Sequence, residues 1–466
     1  MFAEEYTRYT LLMQRNNSSW SLDKRTVILI IALSLPVFVF CVAYVTLFGI
    51  YEKIVYPHSL NLKEVPQHGL HRALLYNAFS NEGNVTRDLH FKVGQNNDAP
   101  AYKLVCYYNF PSNKQSLQVK DLDSTLCTHI NAAFARVVNN SMFLDQDSQN
   151  VLTDLVKLKE TNKNLKILLS VGGAEEPNGY LDMVMNHKNR KQFIKSVLYY
   201  VKNYNVDGVD LDWEFPNEAP SGDKHQRTHF TQLLEELRQT VNLQTKYKFL
   251  VSVAVAAPTT IIENSYDVPY MNEYVDYINL MSYDYHFYTR FTPFTGINSP
   301  LYGTSSEKYY LATLNINYSS NYWNYLGMDR SKIIVGLPTY GHTFRLTNIW
   351  NNGLYAPSLG FGNLGSLGFV DYPEVCAFLS SNHITPVFDM DTKSPYASKS
   401  HEWISFDNTE SFMYKSEFIR DNKFGGAMVY CLNSDDYRGV CQSPEGNGKK
   451  FPLVKVARQI LAEPGT

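Results

Sequence analysis

Short apolar runs recur along the chain from residue 103 onward, at intervals that leave room for a helix between neighbours. They are "KLVCYYN" (103 to 109), "HINAAFARV" (129 to 137), "KILLSVGG" (166 to 173), "VDGVDLDWE" (206 to 214), "FLVSVAV" (249 to 255), "YINLMSYD" (277 to 284), "KIIVGLPTYG" (332 to 341) and "GGAMVYCL" (425 to 432). Between several of them lie segments with apolar residues at helical spacing, such as "NRKQFIKSVLYYVKNY" and "FTQLLEELRQTV". Strands alternating with helices imply a parallel sheet, and eight such units predict a closed α/β barrel of the (β/α)8 TIM type. The interval between the seventh and eighth runs exceeds what one helix needs, so an α+β insertion subdomain is expected at about 342–405.

The first hundred residues follow another pattern. Val27 to Ile50, "VILIIALSLPVFVFCVAYVTLFGI", is an uncharged run of 24 residues, long enough to cross a bilayer as one helix that tolerates Pro36. The rival reading, a cleaved signal peptide, calls for a shorter apolar region and a small-residue cleavage site. Arg8, Arg15, Lys24 and Arg25 precede the run, against Lys53 and Lys63 after it. The positive-inside bias therefore predicts a single-pass type II signal-anchor: cytosolic tail 1–26, transmembrane helix 27–50, and a barrel outside the cell or in a lumen. Residues 51–100 are polar without sustained period and read as a stem, and the barrel domain is expected over 101–460. Asn84, Asn139 and Asn317 each begin a glycosylation sequon in the outer portion.

Composition narrows the function classes. The chain is 44% hydrophobic and 14% aromatic, with 34 Tyr and 26 Phe, so a large core is available. A formal net charge of −3 and the lack of a basic stripe exclude nucleic acid as a natural partner. Of six cysteines, Cys41 lies in the apolar run, leaving five for the outer portion and at least one unpaired. Their spacing alone fixes no connectivity and fits no zinc site, and no metal or cofactor is called for. "GFGNLG" from Gly360 spells a dinucleotide fingerprint but lies inside the expected insertion, without the βαβ context the fingerprint needs.

The fourth run carries the chemistry. In an extended strand alternate residues share a face, so Asp210, Asp212 and Glu214 point one way and Val209, Leu211, Trp213 and Phe215 the other. The apolar set suits the helical layer, which turns the acids toward the barrel axis at intervals of roughly 6 to 7 Å. Three carboxylates so close in a partly dry interior cannot all ionise freely, so at least one proton is held near neutral pH. Glu214 lies nearest the carboxyl end of the strand, where barrel active sites form. The alternative is a solvated edge strand with Asp207-Gly208 as a hairpin turn. The surrounding alternation of strands and helices argues against it.

"DGVDLDWE" resembles the DGxDxDWE signature of the family 18 glycoside hydrolases, the chitinases and chitinase-like lectins. "KLVCYY", "LCTHINAAFA", "SVGG", "INLMSYD", "PTYG" and "GGAMV" follow that family's order on strands one, two, three, six, seven and eight. The resemblance covers Tyr102 to Arg458. It implies a hydrolase of β-1,4-linked N-acetylglucosamine oligomers, membrane-anchored if the run 27–50 spans a bilayer as read above, or a lectin-type binder of such glycans. In the hydrolase, Glu214 serves as acid and then base, and Asp212 stabilises the substrate's own acetamido group as nucleophile. Asp210 holds the shared proton and tunes Asp212, while Tyr283 donates to the acetamido carbonyl. It assigns substrate contacts to Asp284, Met281, Tyr430, Tyr340, Tyr107 and Phe134. It also implies the pairs Cys106 with Cys127 and Cys376 with Cys441, leaving Cys431 as a buried thiol. Three features depart from the family pattern. Tyr430 stands where a Trp usually forms the sugar-site floor, His342 where "PTYGR" has Arg, and "YYNFPSN" and "GGAEEPNG" lack the usual outer Trp residues. The expected consequence is a preference for short soluble oligomers over crystalline polymer.

Overall fold

The computed structural model describes residues 102–463, apart from the short stretches 175–176, 219–224 and 442–447. The tail, the apolar run, the stem and the Asn84 sequon lie outside the described residues.

Eight parallel strands form the barrel: β1 (Lys103–Asn109), β2 (His129–Val138), β4 (Lys166–Gly172), β5 (Gly208–Asp212), β6 (Leu250–Ala256), β7 (Tyr277–Met281), β8 (Ile333–Pro338) and β14 (Gly426–Tyr430). Their order is β1-β14-β8-β7-β6-β5-β4-β2, and pairing of β1 with β2 closes the ring. Every expected run supplies one barrel strand. A ninth strand, β3 (Ser141–Phe143), pairs antiparallel with β2. Asn139 and Asn140 between them have φ of 49° and 57°, the left-handed backbone of a tight hairpin turn that Asn tolerates better than most residues. The Asn139 sequon therefore sits at this exposed turn, whereas Asn317 lies in the first turn of the helix Ile316–Tyr325.

Burial divides the core in two. Outward-facing residues such as Val209, Leu211 and Trp213 join the large apolar layer between barrel and helices. Trp213 stacks on Tyr180 at 5.3 Å and meets Phe230 edge-on at 5.6 Å, and Phe215 packs partly buried against the same layer. The smaller inner cluster is rich in aromatics, with Tyr107, Tyr283 and Tyr340, and Tyr277 at the amino end of β7, beside Val105, Leu168 and Met428.

The insertion is an antiparallel sheet ordered β10-β9-β13-β12-β11. Its strands are β9 (Tyr340–Arg345), β10 (Phe369–Asp371), β11 (Val387–Asp389), β12 (Ser394–Lys399) and β13 (Glu402–Ser405), with the helix Tyr372–Asn382 after β10. The seventh apolar run thus spans two sheets. Ile333–Pro338 stays in the barrel, and the chain enters the inserted sheet at Tyr340 rather than at 342. Pro338 cannot donate to a ladder, which suits the end of a barrel strand. The "GFGNLG" segment lies between β9 and β10, a strand-to-strand connection with no helix to receive a pyrophosphate.

Two disulfides, Cys106–Cys127 and Cys376–Cys441, match the pairings that the resemblance implies. Cys431 is buried and free, and burial pushes its thiol up to about 11.

Candidate active site

Strand register builds the centre of the site. Asp210 of β5 lies opposite Ser170 of β4 and Ser252 of β6, so both neighbours place a hydroxyl at the level of its carboxylate. Ser170 and Tyr107 donate to Oδ2 at 2.8 and 2.6 Å, and Ser252 and the Asn279 amide donate to Oδ1 at 2.7 and 3.0 Å. Burial raises the Asp210 pKa, and these four donors oppose the rise. An acceptor with four donors is in the environment of an anion.

Asp212 differs. It is buried, its Oδ1 finds no partner, and burial followed by the charges of Glu214 and Asp210 raises its pKa well above the usual carboxylate range. The proton expected on Asp210 is therefore better placed on Asp212, because protonation costs Asp212 no hydrogen bond. The division expected from sequence put that proton on Asp210, whose pKa burial also raises.

Glu214 lies two residues beyond the end of β5. Burial first, and then the nearby charge of Asp284, push its carboxyl up to about 7, where an acid can give and retake a proton near neutrality. The glycines of "SVGG" make room for the acid strand. A Cβ on Gly172, whose φ is +108°, would come within 2.1 Å of the Asp212 carbonyl oxygen. The Gly173 N–H donates to that same oxygen at 2.8 Å.

The aromatic residues named from sequence gather around the acids. The Tyr430 ring lies 5.4 Å from Tyr107, 6.0 Å from Tyr283 and 6.3 Å from Tyr340. Tyr283 meets Tyr340 edge-on at 6.0 Å, and Phe134 lies 6.2 Å from Tyr107. Met281, partly buried, packs on the same cluster. Asp284 follows the end of β7 with φ of 57°. Its Oδ1 accepts the Tyr340 hydroxyl at 2.6 Å and His342 Nε2 at 2.8 Å. All ten residues named as catalytic or substrate-binding thus belong to one region at the carboxyl ends of the barrel strands.

Sequence reasoning missed the residues that hold these groups. Ser170, Ser252 and Asn279 anchor Asp210, and their signal was present: each is a lone polar residue inside an otherwise apolar strand. Asn298 gave no such signal. It is fully buried, accepts the Asp284 N–H at 2.9 Å and donates to the Tyr340 carbonyl at 3.1 Å. It thereby ties the loop after β7 to the first strand of the insertion. His342, noticed only as a departure, is buried against Asp284 with Nδ1 3.3 Å from the Gly368 carbonyl.

The glycosyl hydrolases family 18 description matches residues 103–435. The chain belongs to glycosyl hydrolase family 18. Among its family relatives, human oviduct-specific glycoprotein is 38% identical over 387 residues, covering 79% of this chain but 55% of the relative. The chain thus spans little more than half the length of that protein. Mouse chitotriosidase-1 is 35% identical over 381 residues, covering 78% of this chain and 79% of the enzyme. In structure, the family 18 barrel matches human YKL-39 with a TM-score of 0.72 at 33% identity, covering 78% of this chain and 100% of YKL-39. YKL-39 is described as a pseudo-chitinase with retained chitooligosaccharide binding properties.

Proposed function

We propose that this family 18 chain hydrolyses β-1,4-linked N-acetylglucosamine oligomers by substrate-assisted catalysis with retention. The observation that carries the reading is the pair of unlike acids: Glu214, with a pKa of about 7, beside Asp212, buried with an oxygen unpartnered. Glu214 gives its proton to the glycosidic oxygen as the bond to the anomeric carbon breaks. The 2-acetamido carbonyl oxygen of the same sugar attacks that carbon from the opposite face. The positive charge that develops on the acetamido nitrogen is met by Asp212, and the Tyr283 hydroxyl steadies the acetamido oxygen. Glu214, now a carboxylate, takes a proton from water, and the resulting hydroxide equivalent opens the cyclic intermediate. Asp210, charged at rest, favours the proton on Asp212 before the acetamido group arrives; that proton then passes to Asp210, leaving Asp212 as the carboxylate that meets the cation.

The second reading is a glycan-binding protein with little turnover. It is favoured by Tyr430 in place of the usual Trp floor, by His342 in place of Arg, and by the pseudo-chitinase among the family's solved structures. Release of shorter oligomers from chitotetraose by the full-length chain separates the two. Appearance of chitobiose at a rate proportional to enzyme supports hydrolysis, and saturable binding without product supports the binder.

The chain is further proposed to be held in the membrane by Val27 to Ile50 in type II orientation. The charge flanks of that run support this, and an oxidising compartment would suit the two disulfides. In sealed vesicles of known orientation, external protease should digest an epitope at one terminus only. Loss of an N-terminal epitope from the lumenal or extracellular side contradicts the orientation.

A further inference from the structure

Tyr283 and Asp284 lie on a short turn, Ser282 to Tyr285, just past the last paired residue of β7. Two residues of a later loop clasp this turn. The Ser299 hydroxyl donates to the Ser282 carbonyl at 2.7 Å, the Asp284 N–H donates to Asn298 Oδ1 at 2.9 Å, and the Tyr285 N–H donates to the Asn298 carbonyl at 3.1 Å. Asn298 is in turn fastened to the inserted sheet. Its N–H donates to Ser405 Oγ on β13 at 2.7 Å, and its Nδ2 donates to the Tyr340 carbonyl on β9 at 3.1 Å.

Asn298 is fully buried, and only an amide supplies an acceptor and a donor at the same reach. Exchanging its oxygen and nitrogen would set donor against donor and acceptor against acceptor, so the partners fix its orientation. Aspartate would place a carboxylate oxygen against the Tyr340 carbonyl. An apolar residue would leave that carbonyl and the Asp284 N–H unpaired in the interior.

The bond to Asp284 does more than tie two segments together. Asp284 has φ of 57°, a left-handed conformation that a residue with a side chain keeps only when its surroundings hold it. Because φ is rotation about the N–Cα bond, it is held here from both ends. Asn298 takes the N–H, while Tyr340 and His342 donate to Oδ1 of the carboxylate. Oδ2 takes no hydrogen bond from the described residues, and the side chain is 38% exposed. It is the oxygen left for a ligand.

We infer that Asn298 is a positioning residue for glycan binding: by holding the Asp284 N–H it presents Asp284 Oδ2 to a donor of the bound oligomer, a sugar hydroxyl or an acetamido N–H. This rests on the reading of the site as one for N-acetylglucosamine oligomers. It concerns affinity and not proton transfer, so it applies to a hydrolase and to a binder alike.

Calorimetric titration of the full-length chain with chitotetraose tests this through a double-mutant cycle with Asp284. Asn298→Ala and Asp284→Ala should each raise Kd about tenfold, the loss expected for one hydrogen bond to a charged group. The double variant should bind no more than about twofold more weakly than Asp284→Ala alone, because the amide acts through that carboxylate. Thermal unfolding separates this from a purely structural role: Asn298→Ala should lower the melting temperature in both backgrounds, whereas it weakens binding only where Asp284 is present. The titration's stoichiometry reports the folded fraction. If Asn298→Ala yields no folded protein, Asn298→Ser, which stays polar but lacks the reach of the amide, takes its place in the cycle with the same expected outcomes. The inference is overturned by effects on Kd that multiply, by an unchanged Kd in the Asn298 variant, or by an Asp284→Ala variant that binds normally. A wild-type chain that binds chitotetraose without cleaving it ends the hydrolase reading and leaves the cycle intact. One that binds none ends the oligomer reading, and the inference with it.

Discussion

The acid strand and the insertion-side wall meet in the same cleft but are built differently. Around β5, each group is fixed by strand register: Ser170 and Ser252 flank Asp210 because their strands pair there, and Gly172 yields space to the Asp212 backbone. At the insertion-side wall, Tyr340, His342 and Phe369 come from a separate sheet, and the loop after β7 is tied to it by side chains, Asp284 to Tyr340 and His342 and the buried Asn298 to the Tyr340 carbonyl. Of the departures from the family pattern seen in sequence, His342 falls on the wall and Tyr430 ends the barrel strand β14, and none falls on the acids. Proton chemistry depends on several groups at once within the barrel interior. The wall is distributed over side chains that can be exchanged singly.

Replacing groups on each side breaks this comparison in order of effect. Glu214→Gln removes the transferable proton with little change of shape, so turnover of chitotetraose should fall by about 10²–10⁴-fold while calorimetry shows oligomer binding largely kept. Retention of wild-type turnover would remove Glu214 from the mechanism. Asp210→Asn puts an amide among four donors, so at least one hydrogen bond is lost and one donor faces another. Thermal unfolding should report a loss of about 1–3 kcal/mol, and turnover should fall on the order of tenfold or more as the charge that favours the Asp212 proton is lost. An equally stable, equally active Asn variant would show that Asp210 does not carry the charge assigned to it.

The pH profile is the next smaller test. Glu214 must be protonated to act, and its pKa is raised to about 7. Activity therefore persists below that pH and falls as pH rises through it, approaching a tenfold loss in kcat/KM per unit. A flat profile between pH 6 and 9 contradicts the assignment. At the end of β14, Tyr430→Trp restores a larger stacking face and should lower KM for chitotetraose by about two- to tenfold with little change in kcat. A larger effect on kcat than on KM would mean that Tyr430 belongs with the proton machinery after all.

The same division governs what could be read from the sequence. Each apolar run became a barrel strand, because a strand buried on both faces writes its burial into consecutive residues. Alternation along "VDLDWEF" put the acids inside and Trp213 outside, and burial agrees. Which aspartate holds the proton was not legible, since the deciding donors, Tyr107, Ser170, Ser252 and Asn279, lie on four other strands and declare themselves only when those strands pair. The start of the insertion was misjudged because "KIIVGLPTYG" reads as one apolar run while its two halves join different sheets. Asn298 was invisible for a related reason. Loop residues carry no period, and what makes them neighbours is the tertiary path of the chain.

The central claim, that the substrate's own acetamido group supplies the nucleophile, is tested most directly by comparing initial rates of the full-length protein on chitotetraose and on cellotetraose, which keeps the β-1,4 linkage and replaces each acetamido group by hydroxyl. The account predicts cleavage of chitotetraose and none measurable of cellotetraose. Equal rates on the two would contradict it, because Glu214 would then be acting with a nucleophile that the protein itself provides.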